Sequence, residues 1–240
     1  MHKLTSPTLP PKELWFAWSV HLFTATGALW GFLAIIATIQ HQWQLAFFWL
    51  FAAGFVDSVD GALARKFQVS GYIPNFDGAL LDNIIDYLTY VIVPALILYE
   101  AQLLPARWTI LGIAALVLSS AYQFAQADAK TEDHYFKGFP SYWNVLAFYL
   151  FLLQWPARIN LALVLLCAVL VFVPIKYVYP SRTPYYRKPT LILSSIWGVV
   201  TAVLFITLNN PPQWLLYGSL YFVVYYVGIS LYLMAKSPTS

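Results

Sequence analysis

The chain has 240 residues, 60% of them hydrophobic and only 10% charged, with a mean hydropathy of +0.66. A soluble domain usually carries about 25% charged residues, so too little polar surface remains to cover a globule in water, and the composition describes a membrane protein. A net charge of +3 is too small to indicate a nucleic-acid partner, and the lone Cys167, inside an apolar run, excludes a disulfide framework and reads as a small buried hydrophobe.

A spanning helix needs about 20 mostly apolar residues. By that measure the sequence predicts an all-α, polytopic helical bundle of about eight transmembrane helices, at residues 14–39, 45–64, 77–98, 108–127, 142–155, 157–178, 190–208 and 214–234. The fifth is short and its join to the sixth, at Gln154 to Arg158, is tight, so seven spans fit as well. The polar residues 1–12 precede a first span long enough to cross the bilayer rather than be cleaved. No repeat or soluble domain interrupts the pattern, so residues 1–240 read as one transmembrane domain.

Charge placement orients the bundle. With eight spans, Lys3, Lys12, Arg65, Lys66, Lys130, Lys137, Lys176, Arg182, Arg187, Lys188 and Lys236 share one face, and only Arg107 and Arg158 fall opposite. The positive-inside rule makes the rich face cytoplasmic and puts both termini there. Trp43, Trp108, Trp155 and Trp214 sit at predicted span ends, where an aromatic belt accounts for them.

Five of the ten acidic residues fall between Asp57 and Asp86, at or inside predicted helices. A charge at the bilayer centre costs about 2.5–3.5 kcal/mol on insertion scales, so intramembrane carboxylates point to function. Asp57, Asp60, Gly61, Ala64 and Arg65 are three or four residues apart and share a face of the second span. Gly78, Asp82 and Asp86 repeat every fourth residue on the third. Two neighbouring antiparallel helices would thus present two carboxylates each near the cytoplasmic surface. Carboxylates converging without His or Cys are hard oxygen ligands, suited to Mg²⁺ or Mn²⁺. Gly61 and Gly78 would let a ligand approach the backbone, and Arg65 can grip phosphate or carboxylate with two hydrogen bonds. Asp77 breaks the spacing and, after Pro74 and Asn75, reads as the N-terminal end of its helix.

The string D-x-x-D-G-x-x-A-R followed by G-x-x-x-D-x-x-x-D, over residues 57–86, resembles the signature of the CDP-alcohol phosphotransferases, and all eight positions match. The gap between Arg65 and Gly78 holds twelve residues, longer than is usual in that family. In this it is similar to the branch of bacterial phosphatidylcholine synthases, as it is in length and in the segments Lys137-Gly-Phe-Pro-Ser-Tyr-Trp-Asn144 and Tyr177-Val-Tyr-Pro-Ser-Arg182.

The resemblance implies transfer of a phosphatidyl group from CDP-diacylglycerol to choline in a bacterial inner membrane, with CMP released. It implies two divalent cations, Mn²⁺ or Mg²⁺, held by Asp57, Asp60, Asp82 and Asp86, with Asp86 also the general base. Gly61, Ala64 and Gly78 would line the nucleotide pocket beside Arg65, with Thr24 or Thr26 of the first span contacting the base. A homodimer is the family's habit. Choline's quaternary ammonium calls for aromatic faces, and Tyr142, Trp143, Tyr177 and Tyr179 sit at predicted cytoplasmic ends, where packing also accounts for each.

Arg182, Arg187 and Lys188 form a basic cluster that reads equally as topology with anionic-lipid contact or as a phosphate or headgroup site. Asp128, Glu132, Asp133 and His134 read as a solvated loop with Lys130 and Lys137, and His21 as a hydrogen-bonded packing residue. Serine, glycerol 3-phosphate and inositol stand as alternative acceptors. A cation-coupled transporter is the rival of another class, but its sites lie near the midplane of two related halves, whereas these carboxylates cluster in one half near one surface.

Overall fold

The computed structural model describes residues 11–180 and 182–236; the polar N-terminal stretch, Lys3 included, lies outside the described residues. The chain runs α1 (Pro11–Ile39), α2 (Trp43–Lys66), a single turn α3 (Val69–Tyr72), α4 (Gly78–Asp86), a π-helical turn (Tyr87–Ile92) and α5 (Val93–Glu100). A 3₁₀ turn (Ala106–Trp108) leads into α6 (Thr109–Ala125), then β1 (Tyr135–Lys137), α7 (Trp143–Leu153), α8 (Ala157–Leu170), β2 (Lys176–Val178), α9 (Arg187–Ile206), α10 (Gln213–Ser219) and α11 (Tyr221–Lys236).

Among the described residues, six continuous helical rods are long and apolar enough to cross a membrane: Lys12–Ile39, Trp43–Lys66, Gly78–Glu100, Ala106–Ala125, Arg187–Ile206 and Gln213–Lys236. They match six of the expected spans to within a few residues. The other two differ. α7 has 11 residues and α8 has 14, short of the ~20 needed for a complete helical crossing. The sixth expected span stops at Leu170 rather than at residue 178. Pro174 disfavours helical backbone in the residue before it, and residues 176–178 instead pair antiparallel with β1, Tyr135 opposite Val178 and Lys137 opposite Lys176. Periodicity could not show this, because residues 171–178 are as apolar as a helix would be.

Buried polar groups tie the helices together, as a bundle without water requires. Asn160 on α8 donates to the Leu103 carbonyl (2.9 Å), joining the α7–α8 turn to the α5–α6 turn. Tyr149 on α7 bonds Ser219 on α10 at 2.8 Å and accepts from the Trp197 indole on α9 at 2.9 Å. One apolar cluster around Ala34, Phe47, Ile97, Phe148 and Leu204 joins α1, α2, α5, α7 and α9. A second, around Leu98, Leu116, Trp143 and Val164, joins α5 to α8. Large apolar side chains such as Leu22, Leu118, Ile206 and Val224 are left exposed on the outside, a surface suited to lipid.

Between α2 and α4 the twelve-residue gap folds into α3 and a bend, with Val69 and Ile73 buried beneath Ala17 and Val20 of α1. This link returns the chain so that α4, like α2, packs against α1. Asp77 caps α4, accepting from the Leu80 amide at 2.9 Å, as its position after Pro74 and Asn75 predicts. The π turn starts directly after Asp86, and Pro94 follows two residues beyond it. Single π turns inside α-helices recur at functional sites.

Candidate active site

Asp57 and Asp60 sit on the last turns of α2, Asp82 midway along α4 and Asp86 at its last residue, and the reversal of the chain between the two helices brings all four to one end of the bundle. One carboxylate oxygen from each of Asp57, Asp82 and Asp86 lies within 4.8 Å of the other two. All three residues are partly buried. Asp60 stands beside this triple and is itself 6% exposed, with the Thr24 hydroxyl of α1 between its carboxylate and the Val20 carbonyl. Thr26 turns back to the Phe23 carbonyl of its own helix, so of the two threonines only Thr24 faces the aspartates. Like-charged carboxylates this close repel one another unless cations offset them. A donor set made only of carboxylate oxygens fits one or more hard divalent cations.

The remaining motif residues surround the aspartates in different ways. Arg65 is exposed one turn beyond Gly61, with a guanidinium nitrogen that would lie 3.3 Å from a Cβ on Gly61. At Gly78 the missing side chain admits the His21 imidazole, whose Cε1 would lie 2.7 Å from a Cβ there. His21 also packs against Phe76 (centroids 4.4 Å apart). Gly78 therefore serves first the close packing of α1 on α4. Ala64 packs with Leu63 and Phe67 against the buried α1–α3 contact.

Two residues that sequence reasoning passed over complete the site. The Tyr90 phenol, from the π turn, donates to Asp57 Oδ2 at 2.6 Å. Tyr90 continues the four-residue series of Gly78, Asp82 and Asp86, a signal present in the sequence but lost among seventeen tyrosines. Lys130 reaches from the loop after α6 to within 4.0 Å of Asp82 Oδ2. Nothing in its local sequence distinguishes it from a solvated loop lysine.

The aromatic residues divide. Tyr142 lies beside Tyr90 (6.2 Å), Phe136 (6.2 Å) and Tyr226 (5.9 Å), at the edge of the aspartate cluster. Tyr179 stacks on Phe136 at 4.6 Å and carries the Arg182 guanidinium over its ring at 5.5 Å. Tyr177 is 5% exposed and stacks on Tyr226. Trp143 points elsewhere: it is fully buried among Leu98, Leu116 and Val164, and its indole donates to Ser120 Oγ at 2.6 Å. Its packing role accounts for it completely.

The basic cluster also divides. Arg182 lies with its guanidinium over the Tyr179 ring, while Arg187 and Lys188 are exposed on the first turn of α9. The loop Asp128–Lys137 is far from free. Lys137 pairs with Asp128 at 2.6 Å and Lys176 with Asp133 at 2.7 Å. Lys137 holds the exposed Asp128 carboxyl below its usual value. For Asp133 slight burial acts upward, but hydrogen bonds from Lys176 and Thr131 outweigh it and the net direction is also down.

Carboxylates in this register at one end of a bundle of membrane-length helices define a class. Residues 20–175 match the sequence profile of the CDP-alcohol phosphatidyltransferases, and the chain belongs to that family: it is a membrane transferase of phospholipid biosynthesis. Among its relatives, a protein named phosphatidylcholine synthase from Legionella pneumophila is 40% identical over 238 residues, covering 95% of this chain and 92% of the relative. Proteins of the same name from Rhizobium meliloti and Pseudomonas aeruginosa are each 36% identical, covering 92% of either chain.

Proposed function

We propose that this enzyme transfers the phosphatidyl group of CDP-diacylglycerol to choline, giving phosphatidylcholine and CMP. The observation that carries the chemistry is the convergence of Asp57, Asp82 and Asp86 within 4.8 Å. Similarity to phosphatidylcholine synthases along nearly the whole chain supports choline as the acceptor.

Asp57, Asp60, Asp82 and Asp86 would hold two divalent cations, Mn²⁺ or Mg²⁺, with Tyr90 fixing the Asp57 carboxylate and Thr24 the Asp60 carboxylate. Bound there, the cations would supply neutralisation of the charge that develops during the transfer. Asp86 takes the proton from the acceptor hydroxyl. The oxygen forms its bond to the lipid-side phosphorus as the bond to the CMP oxygen breaks, and the bonding pair leaves with CMP. Gly61, Ala64, Gly78 and Arg65 border the nucleotide side, and Thr24 the deeper wall. Tyr142, with Phe136 and Tyr179 behind it, offers aromatic faces to a quaternary ammonium; Tyr177 backs this group through Tyr226.

The basic residues support a cytoplasmic position for the aspartate end, since Arg65, Lys66, Lys130, Lys137, Lys176 and Lys236 gather there while Arg107 and Arg158 lie at the other. A bacterial inner membrane with both termini cytoplasmic follows on this reading. Eight passages would need the short α7–α8 pair to count as two; what supports this is that the pair turns at the α5–α6 end, where Asn160 holds it, and returns to the loop end, where the Phe139 amide donates to the Leu170 carbonyl at 3.0 Å. The acyl chains of the donor then stay in lipid while choline arrives from water. Homodimerisation is the family expectation and rests on the resemblance alone.

An acceptor panel tests the assignment. Purified enzyme with CDP-diacylglycerol and Mn²⁺ is offered labelled choline, serine, inositol or glycerol 3-phosphate. Labelled lipid from choline alone supports the reading. Lipid from another acceptor instead would keep the family chemistry and remove choline.

A further inference from the structure

Three lysines serve the segment between α6 and β2, and they are used differently. Lys137 and Lys176 are closed onto loop carboxylates at 2.6 and 2.7 Å. Lys130 instead faces the catalytic aspartates, 4.0 Å from Asp82 Oδ2, too far for a close hydrogen bond. Its charge bears most on Asp82, the aspartate it approaches.

The backbone that carries it is pinned on every side. Lys130 bridges to Phe136, the Lys137 amide donates to the Ala129 carbonyl at 3.0 Å, and Gln123 of α6 donates to the Lys137 carbonyl at 3.0 Å. Thr183 donates to the His134 carbonyl at 2.7 Å, fixing the loop to the segment after β2. Gly138, at φ +77°, lies so tightly against the Val171 carbonyl that no side chain fits there. So much fixed structure holding one half-exposed lysine over the aspartates is more than a solvated loop needs.

Charge balance says what the lysine is for. Four carboxylates are fully offset by two divalent cations, which leaves the negative charge of a bound pyrophosphate unmet. With cations held by Asp82, the Lys130 ammonium would lose this partner and be left to meet the negative charge of the pyrophosphate. Resting on the donor reading above, we propose that Lys130 is a binding residue for the donor's pyrophosphate, presented over the metal site by the pinned α6–β1 loop.

Equilibrium binding of CDP to the full-length protein in detergent, with Mn²⁺ and no acceptor, tests this apart from the choline assignment. Lys130→Ala is expected to weaken CDP about 10- to 100-fold, the scale of losing a charged hydrogen bond, and Lys130→Arg to restore most of it. Glu132→Gln, an exposed change in the same loop, should leave binding unaltered. The loss should be larger for CDP than for CMP, which lacks the second phosphate. In turnover it should appear in the KM for CDP-diacylglycerol and not in that for the acceptor. Wild-type CDP affinity in a folded Lys130→Ala protein would overturn the proposal and leave the donor reading standing. Failure of the unaltered protein to bind CDP would overturn both.

Discussion

The phenol of Tyr90 donates to Asp57 Oδ2 at 2.6 Å, so the π turn after Asp86 reaches back across the helix pair to fix a carboxylate on α2. The bond holds one Asp57 oxygen, and on the proposed function the other would ligate a cation. Removing such an outer partner of a metal ligand typically costs 10–100-fold in metal affinity or activity. Tyr90→Phe is therefore expected to raise the Mn²⁺ concentration for half-activation about tenfold, with helical content unchanged by circular dichroism. An unaltered Mn²⁺ dependence would remove this role.

Asp86 lies in the same triple as Asp57 and Asp82, and the proton of the acceptor hydroxyl is assigned to it. A positioned general base contributes about 10²–10⁴-fold. Asp86→Asn should lower kcat by at least that much while CDP still binds in the presence of Mn²⁺. Turnover within a few-fold of wild type would remove the assignment.

Adjacent aromatic residues should respond in opposite ways. Tyr142 borders the aspartates, and its replacement by Leu is expected to raise the KM for choline about 3- to 30-fold, the scale of a partly desolvated cation–π contact. Trp143 is buried against Ser120. Trp143→Phe should cost about 1–2 kcal/mol of stability through the lost hydrogen bond, seen as a lower Tm, and leave the KM for choline alone.

Gly78 meets His21 at a distance no Cβ tolerates. Gly78→Val is expected to destabilise the protein by about 1–3 kcal/mol through overpacking. Combining it with His21→Ala should recover part of the loss, because the second change vacates the space. Additive losses in thermal unfolding would contradict the packing account.

Much of this was legible in sequence because the bilayer enforces simple rules. Span length marked six rods to within a few residues, and the cost of intramembrane charge singled out the four aspartates. What escaped notice depended on neighbours distant in the chain. The ribbon at Lys176–Val178 needs β1 forty residues earlier to satisfy its backbone, and hydropathy cannot see that partner. Tyr90 stood in register with the aspartates but required α2 opposite it to acquire meaning. Lys130 depended on a loop whose fold rests on contacts to α6, α8 and the Thr183 segment. Trp143 and Tyr142 are neighbours in sequence, and only packing separates a core residue from one beside the site.

The central claim is that the aspartate site performs phosphatidyl transfer to choline with divalent cations. Its most direct measurement is the stoichiometry of CMP release and choline incorporation in enzyme stripped by chelator and then titrated with Mn²⁺. The account predicts no turnover in the stripped protein, recovery with Mn²⁺, one CMP per phosphatidylcholine formed, and no recovery in Asp82→Asn at the same Mn²⁺ concentrations. Choline incorporation that persists through chelation, or CMP release uncoupled from phosphatidylcholine, would contradict it.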